Sequence, residues 1–224
     1  MTRKSKAFIA TASILALLGG GSLAAETLIT SRIETRIKSE LPKASGISAS
    51  IPLIDMVQSL FADSIKSAKF NIDSYALNGG TTESSITITA KNISKSKPTL
   101  IGSLEVISTI PAATILQSAE FSDAQIVGNT LQVSAGPGGL GKAILVPKFS
   151  GNQIYFELKV ISLFGNEIPA SSLPADAQSQ IKSKSVREVN VPSGMKLISV
   201  TLNPQGLSVI LRGTSIQLGK LGAL

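Results

Sequence analysis

The chain has 224 residues, 43% of them hydrophobic and only 16% charged, and it contains no Cys, His or Trp. Disulfide frameworks, thiolate metal sites, cysteine nucleophiles and imidazole catalysis are therefore excluded because their atoms are absent. Lys and Arg number 21 against 14 Asp and Glu, a formal charge of +7 that favours an anionic partner, on a chain too apolar to be a disordered polycation.

Residues 1–25 have the order of an export segment. Thr2-Arg3-Lys4-Ser5-Lys6 is basic, residues 7–18 form a largely apolar run, and residues 19–25 are small. That is the layout of a secretory signal peptide, and Ser22-Leu23-Ala24 supplies small side chains for a cut after Ala24. Extended through Gly19-Gly20-Gly21 to Ala25, the same run approaches the roughly 20 residues of a membrane span, so an uncleaved N-terminal anchor is the competing reading. Both readings export the chain to the cell envelope, on the periplasmic side of the cytoplasmic membrane. Setting this segment aside removes three basic residues and leaves 18 basic against 14 acidic, or +4. Cysteine-free export is compatible with a bacterial envelope.

The first element of the exported part is an amphipathic helix over 26–41, with Ile29, Ile33, Ile37 and Leu41 on one stripe. Pro42 and Gly46 end it. A second, more apolar helix follows, in which Leu53, Ile54, Val57, Leu60 and Phe61 share a face and Pro52 sits near the first turn. The period then changes to two. Ala68, Phe70 and Ile72 alternate with polar residues, as do Ile86, Ile88 and Ala90, around an Asn78-Gly79-Gly80 turn. A strand at 104–107 precedes a short helix at 112–119. Strands at 124–127 and 130–135 flank Gly128-Asn129, and strands at 143–149 and 153–161 flank Ser150-Gly151-Asn152, which is hairpin chemistry. A weak helix at 172–183 and a last strand pair, 195–202 and 207–218, complete the chain.

No linker divides residues 26–224, which predicts one α+β domain. The alternating strands predict antiparallel sheets with one sheltered face. Residues 136–142, Gly-Pro-Gly-Gly-Leu-Gly-Lys, imitate a phosphate-binding loop, but Ala143 lacks the magnesium-binding hydroxyl and the following residues read as a strand. No nucleophile elbow, clustered carboxylate site or cofactor motif accompanies them, so the expectation is a protein that is not an enzyme and holds no metal or cofactor. Few aromatic residues and an envelope location argue against nucleic acid.

Three stretches resemble the LmeA-like phospholipid-binding family of actinobacteria, named for lipomannan elongation and maturation. They are residues 50–61 running into the strand at 66–77; residues 158–168 with the Phe164-Gly165-Asn166-Glu167-Ile168-Pro169 turn; and Val191-Pro192-Ser193-Gly194-Met195-Lys196-Leu197, followed by Val200-Thr201-Leu202, Gly206-Leu207-Ser208-Val209 and Leu211-Arg212-Gly213. Together they frame residues 26–218. The chain departs from the family's Gly then Pro-Phe-Leu pattern in having Ser50-Ile51-Pro52-Leu53-Ile54. The resemblance implies an elongated, tubular lipid-binding fold of the TULIP type, in which a curved antiparallel sheet wraps the amphipathic helix and leaves an apolar groove. It also implies phospholipid binding at a membrane surface.

An acyl chain needs an apolar lining, since burial contributes roughly 0.8 kcal/mol per methylene. The candidate lining is Leu53, Val57, Leu60, Phe61, Phe70, Ile72, Ile86, Ile88, Phe156, Leu158, Leu197 and Val200, all of which also suit an ordinary core. Lys66, Lys69, Lys196 and Arg212 are candidates for an anionic headgroup or for a plain solvated face. Three functions remain open: a carrier or sensor of anionic phospholipid, an envelope interaction domain with a solid core, and an accessory to a cell-wall glycosyltransferase.

Overall fold

The computed structural model describes residues 44–52, 62–76, 83–96, 98–118, 123–135, 139–189 and 191–217. The export segment and the two helices read at 26–41 and 53–61 lie outside these residues. The described chain is a sheet-dominated α+β protein whose strands pair antiparallel. It packs as two compact units. Unit 1 holds the described residues up to 108 together with 191–198 and 210–217, and unit 2 holds 109–189 and 199–209.

The strands of unit 1 are β1 (Ser45–Ser50), β2 (Ser64–Ala76), β3 (Glu83–Ser94) and most of β4 (Leu100–Pro111). They belong to a six-stranded sheet ordered β1-β2-β3-β4-β12-β11, in which β11 (Met195–Asn203) and β12 (Gly206–Gln217) divide between the units. Alternation in β2 and β3 becomes cross-strand pairing: Ala68 faces Ala90, Phe70 faces Ile88 and Ile72 faces Ile86, none more than 6% exposed. Such rows of apolar pairs are the stabilising unit of a sheet.

The buried positions shift phase by one residue on three neighbouring strands. Ile65 replaces Lys66 in the series running through Ala68, Ile93 replaces Asn92 beyond Ala90, and Ile101 replaces Gly102 before Leu104. Asn92 absorbs the shift with a left-handed φ of 54°, a conformation Asn tolerates better than most residues. A Cβ on Gly102 would sit 3.0 Å from that of Asn92, so the neighbouring strand is also cut close at this line.

β1 falls where the sequence reading placed only the end of a helix. Its six residues offer just Ile47 and Ala49 to the sheet, too few for an alternation signal. Gly46 belongs to this strand: it has φ 62°, and a Cβ there would collide with the Asp73 side chain, so the close pairing of β1 on β2 requires glycine.

In unit 2, α1 (Ala112–Ser118) leads into β5 (Gln125–Val127), β6 (Thr130–Ala135), β7 (Gly141–Ser150), β8 (Gln153–Leu163) and β9 (Asn166–Pro169). A 3-10 turn (Ala170–Ser172), α2 (Ala175–Ser185) and β10 (Arg187–Glu188) follow. The sheet is ordered β10-β8-β7-β6-β5, with β9 also on β8. A buried row, Leu131 against Leu145 against Leu158, crosses three strands, and these side chains are 1%, 0% and 5% exposed. The hairpin turns expected at Gly128-Asn129 and Gly151-Asn152 are present. The turn expected over 164–169 is confined to Phe164-Gly165, and the rest of it is strand β9. No helix among the described residues is long and apolar enough to cross a membrane.

Candidate functional site

The site in unit 2 begins with unequal strand lengths. β6 pairs with β7 from Ala135 opposite Gly141 to Leu131 opposite Leu145, and there β6 ends at Thr130 in the Gly128-Asn129 turn. β7 continues to Ser150, so Val146, Pro147 and Lys148 have a partner on only one side. Pro147 is accommodated at that point because proline, lacking an N–H, belongs where a strand edge is open.

β8, on the other side of β7, carries the second irregularity. Ile144 pairs with Val160 but Leu145 pairs with Leu158, which leaves Lys159 as an extra residue in a β-bulge. Bulges re-aim side chains and recur beside functional sites. Beyond it, the Ser185 hydroxyl of α2 stands in for a neighbouring strand: the Phe156 N–H donates to Ser185 Oγ at 2.9 Å, and Ser185 Oγ lies 3.2 Å from the Phe156 carbonyl. The Lys182 ammonium sits 4.3 Å from the centre of the Tyr155 ring, holding α2 to β8 by a cation–π contact.

These irregularities leave a partly open cleft of about 420 Å³, lined by Asn129, Val146, Pro147, Lys148, Glu157, Lys159, Val200, Thr201 and Leu202. Two stretches of three consecutive residues, one on β7 and one on β11, take part. Consecutive residues point to alternate faces, so both strands present their edges here, backbone included. β11 is the terminal strand of its sheet. The cleft thus combines an apolar wall of Val146, Pro147, Val200 and Leu202, open peptide groups, two neutral polar side chains and three charges. Lys148 Nζ lies 3.9 Å from Glu157 Oε2, with both side chains about half exposed, an arrangement worth at most about 1 kcal/mol. Lys159 has no ion pair among the described residues, so the cleft carries an excess of one positive charge.

Of the residues read from the sequence as an apolar lining, only Val200 borders this cleft. Phe70, Ile72, Ile86 and Ile88 form the paired, buried rows of unit 1, and Leu197 is buried there on β11. Leu158 is buried in unit 2 and Phe156 is half-buried beside α2. Leu53, Val57, Leu60 and Phe61 lie outside the described residues. None of the four candidate headgroup cations borders the cleft. Lys66, Lys69 and Lys196 are exposed in unit 1, and Arg212 is engaged there with Glu105, donating from Nε at 3.1 Å and from its terminal nitrogen to the same oxygen. Sequence reasoning missed Lys148 and Lys159; Pro147 inside an apparent strand was the available signal of an open edge.

Among the described residues no group of three or more His, Cys, Asp or Glu could hold a metal ion. The Gly-rich segment before Lys142 runs into strand β7, which supplies no helix N-terminus to cradle a phosphate. No protein-family model, no curated protein and no solved structure matches this chain.

Proposed function

We propose that the protein binds anionic phospholipid in the cell envelope, without catalysing a reaction, as a carrier or as an accessory factor in envelope lipid and lipoglycan maturation. The observation that carries this reading is the unit 2 cleft, which sets an unpaired Lys159 beside an apolar wall in a volume of about 420 Å³, within the usual range for small-molecule sites. Lys159 and Lys148 face a phosphate, Asn129, Thr201 and the open peptide groups face glycerol and ester oxygens, and Val146, Pro147, Val200 and Leu202 take the first methylenes. The export-type residues 1–25 and the LmeA-like stretches support an envelope location, and the tubular, curved-sheet architecture of the TULIP type belongs to the same proposal. A cell-wall glycosyltransferase is the protein partner it fits. The test is lipid extraction and mass spectrometry on protein purified from its own membranes. Co-purified anionic phospholipid, depleted in Lys159→Glu, is expected; lipid-free protein that also ignores phosphatidylglycerol vesicles overturns the proposal.

The two open strand edges favour one second reading, an interaction domain that accepts an extended peptide by adding a strand. Amide exchange along the open edges of β7 and β11 separates the two. Slowing by short-chain phosphatidylglycerol supports the lipid, whereas slowing by extended peptides alone supports the strand.

A further inference from the structure

The end of the unit 2 sheet opposite the β7–β8 turn exposes the two least covered large apolar side chains of the described residues, Phe164 at 80% and Leu140 at 62%. Strand register brings them together. Gly141 pairs with Leu163, so the residue preceding one and the residue following the other leave the sheet at the same end. Leu163 also pairs with Asn166, which confines the second turn to Phe164-Gly165. Both turn residues have positive φ, 50° and 82°, as in a type I′ turn, whose first position ordinarily takes Asn, Asp or Gly. A phenylalanine held there costs on the order of 1–3 kcal/mol of backbone strain. An added Cβ on Gly165 would meet nothing within 4 Å, so the tip stands in open space and the strain is not offset by packing. Strain kept at an exposed aromatic points to a use outside the folded chain.

Area decides what kind of partner suits it. An aromatic side chain offers about 150–250 Å², so Phe164 and Leu140 together expose a few hundred at most. A specific protein interface needs about 800 Å² on each side. A lipid surface needs no complementary face: two apolar side chains on adjacent turns can enter the acyl boundary while polar residues stay among the headgroups. The polar residues are present. Lys142 and Glu167, both exposed, pair with Ser162 from either side, one step behind the tip, and balance each other's charge. We infer that the Leu140–Phe164 tip inserts into a lipid surface and docks unit 2 on the membrane; the choice of partner rests on the lipid-binding reading above. The cleft lies on the same β7–β8 pair, about 20 Å along the strand from Gly141.

The chain has no Trp, so a single introduced indole reports its own location even if residues 1–25 also hold the protein on the membrane. Full-length Phe164→Trp and Leu140→Trp are mixed with vesicles of phosphatidylcholine, with and without phosphatidylglycerol, some brominated in the acyl chains. Phe149→Trp, at the opposite end of β7, is the control. A blue shift with bromine quenching at positions 164 and 140, absent at 149, is expected. Adding Phe164→Asn to Leu140→Trp should weaken that quenching roughly ten- to hundredfold in vesicle concentration, the loss of one buried phenyl group. The same substitution should raise thermal stability, because Asn suits the turn, so weakened binding cannot come from misfolding. An indole at 164 that stays in water, quenching equal at 149, or concentration-dependent self-association through Phe164 overturns the inference. Tip insertion without uptake of short-chain phosphatidylglycerol would overturn the cleft proposal alone, and uptake without insertion would overturn this inference alone.

Discussion

Unit 1 and unit 2 use the same material, antiparallel strands with alternating apolar residues, in opposite ways. In unit 1, β2 and β3 run 13 and 12 residues side by side, in one register from Ser64 to Ile72 with a one-residue shift before Tyr75, and their apolar residues pair row by row. The charges there sit outside, with Arg212 neutralised by Glu105. In unit 2 the strands are unequal. β6 stops short of β7, Lys159 interrupts the register, and the apolar side chains of Leu140 and Phe164 stand in solvent at one end of the sheet. Where β6 ends beside β7, an edge is left open next to an apolar wall. The contrast teaches that apolar content alone does not mark the cleft: the most apolar rows are the closed ones, and the cleft forms where β6 ends early and β8 is bulged.

The largest expected effect tests the first half of that contrast. Ile88 is fully buried in the matched rows, and Ile88→Ala should cost about 2–5 kcal/mol in urea unfolding. The folded fraction should still bind phosphatidylglycerol as before; a variant that is stable yet lipid-free would break the separation of roles. Lys159→Glu should do the reverse, weakening anionic phospholipid about tenfold at low salt while leaving the urea midpoint in place. That weakening should fade as salt rises, because the lysine is exposed and its field is screened.

Ser185→Ala removes the hydroxyl that completes the edge of β8 and should cost about 1 kcal/mol. Faster amide exchange at Phe156, with β7 unchanged, would show that α2 substitutes for a strand; unchanged exchange would refute it. Arg212→Ala should have the smallest effect, below about 1 kcal/mol, since the two side chains of its ion pair are 52% and 31% exposed. Equal losses from Arg212→Ala and Lys159→Glu in lipid binding would move the headgroup site to unit 1.

Much of the fold was legible because its signals are local. The alternation around Phe70 and Ile88 and the Gly128-Asn129 and Gly151-Asn152 turns each depend on residues close in sequence. β1 was not legible, since Ser45–Ser50 carries two half-buried apolar residues and pairs only because β2 lies beside it. The phase shift at Asn92 escaped for a similar reason: Ile93 after Ala90 reads as an error in alternation until Ile65 and Ile101 are seen to make the same step. The site was the least legible part. Ranking apolar strand residues selected the side chains that close a core, and Ile72 and Ile86 are 1% exposed for that reason.

Composition alone determined the absence of thiol and imidazole chemistry, and residue periodicity alone determined a chain dominated by antiparallel strands. Both are properties of residue identity and near neighbours, so no partner strand is needed to read them. Tertiary structure decided which residues line the cleft. Lys159 became an unpaired cation in a cleft because β7 and β8 differ by one residue in register, and Val146 to Lys148 became an open edge because β6 ends early. Register and relative length belong to pairs of strands, set by hydrogen bonds between residues distant in sequence, and so neither strand records them by itself.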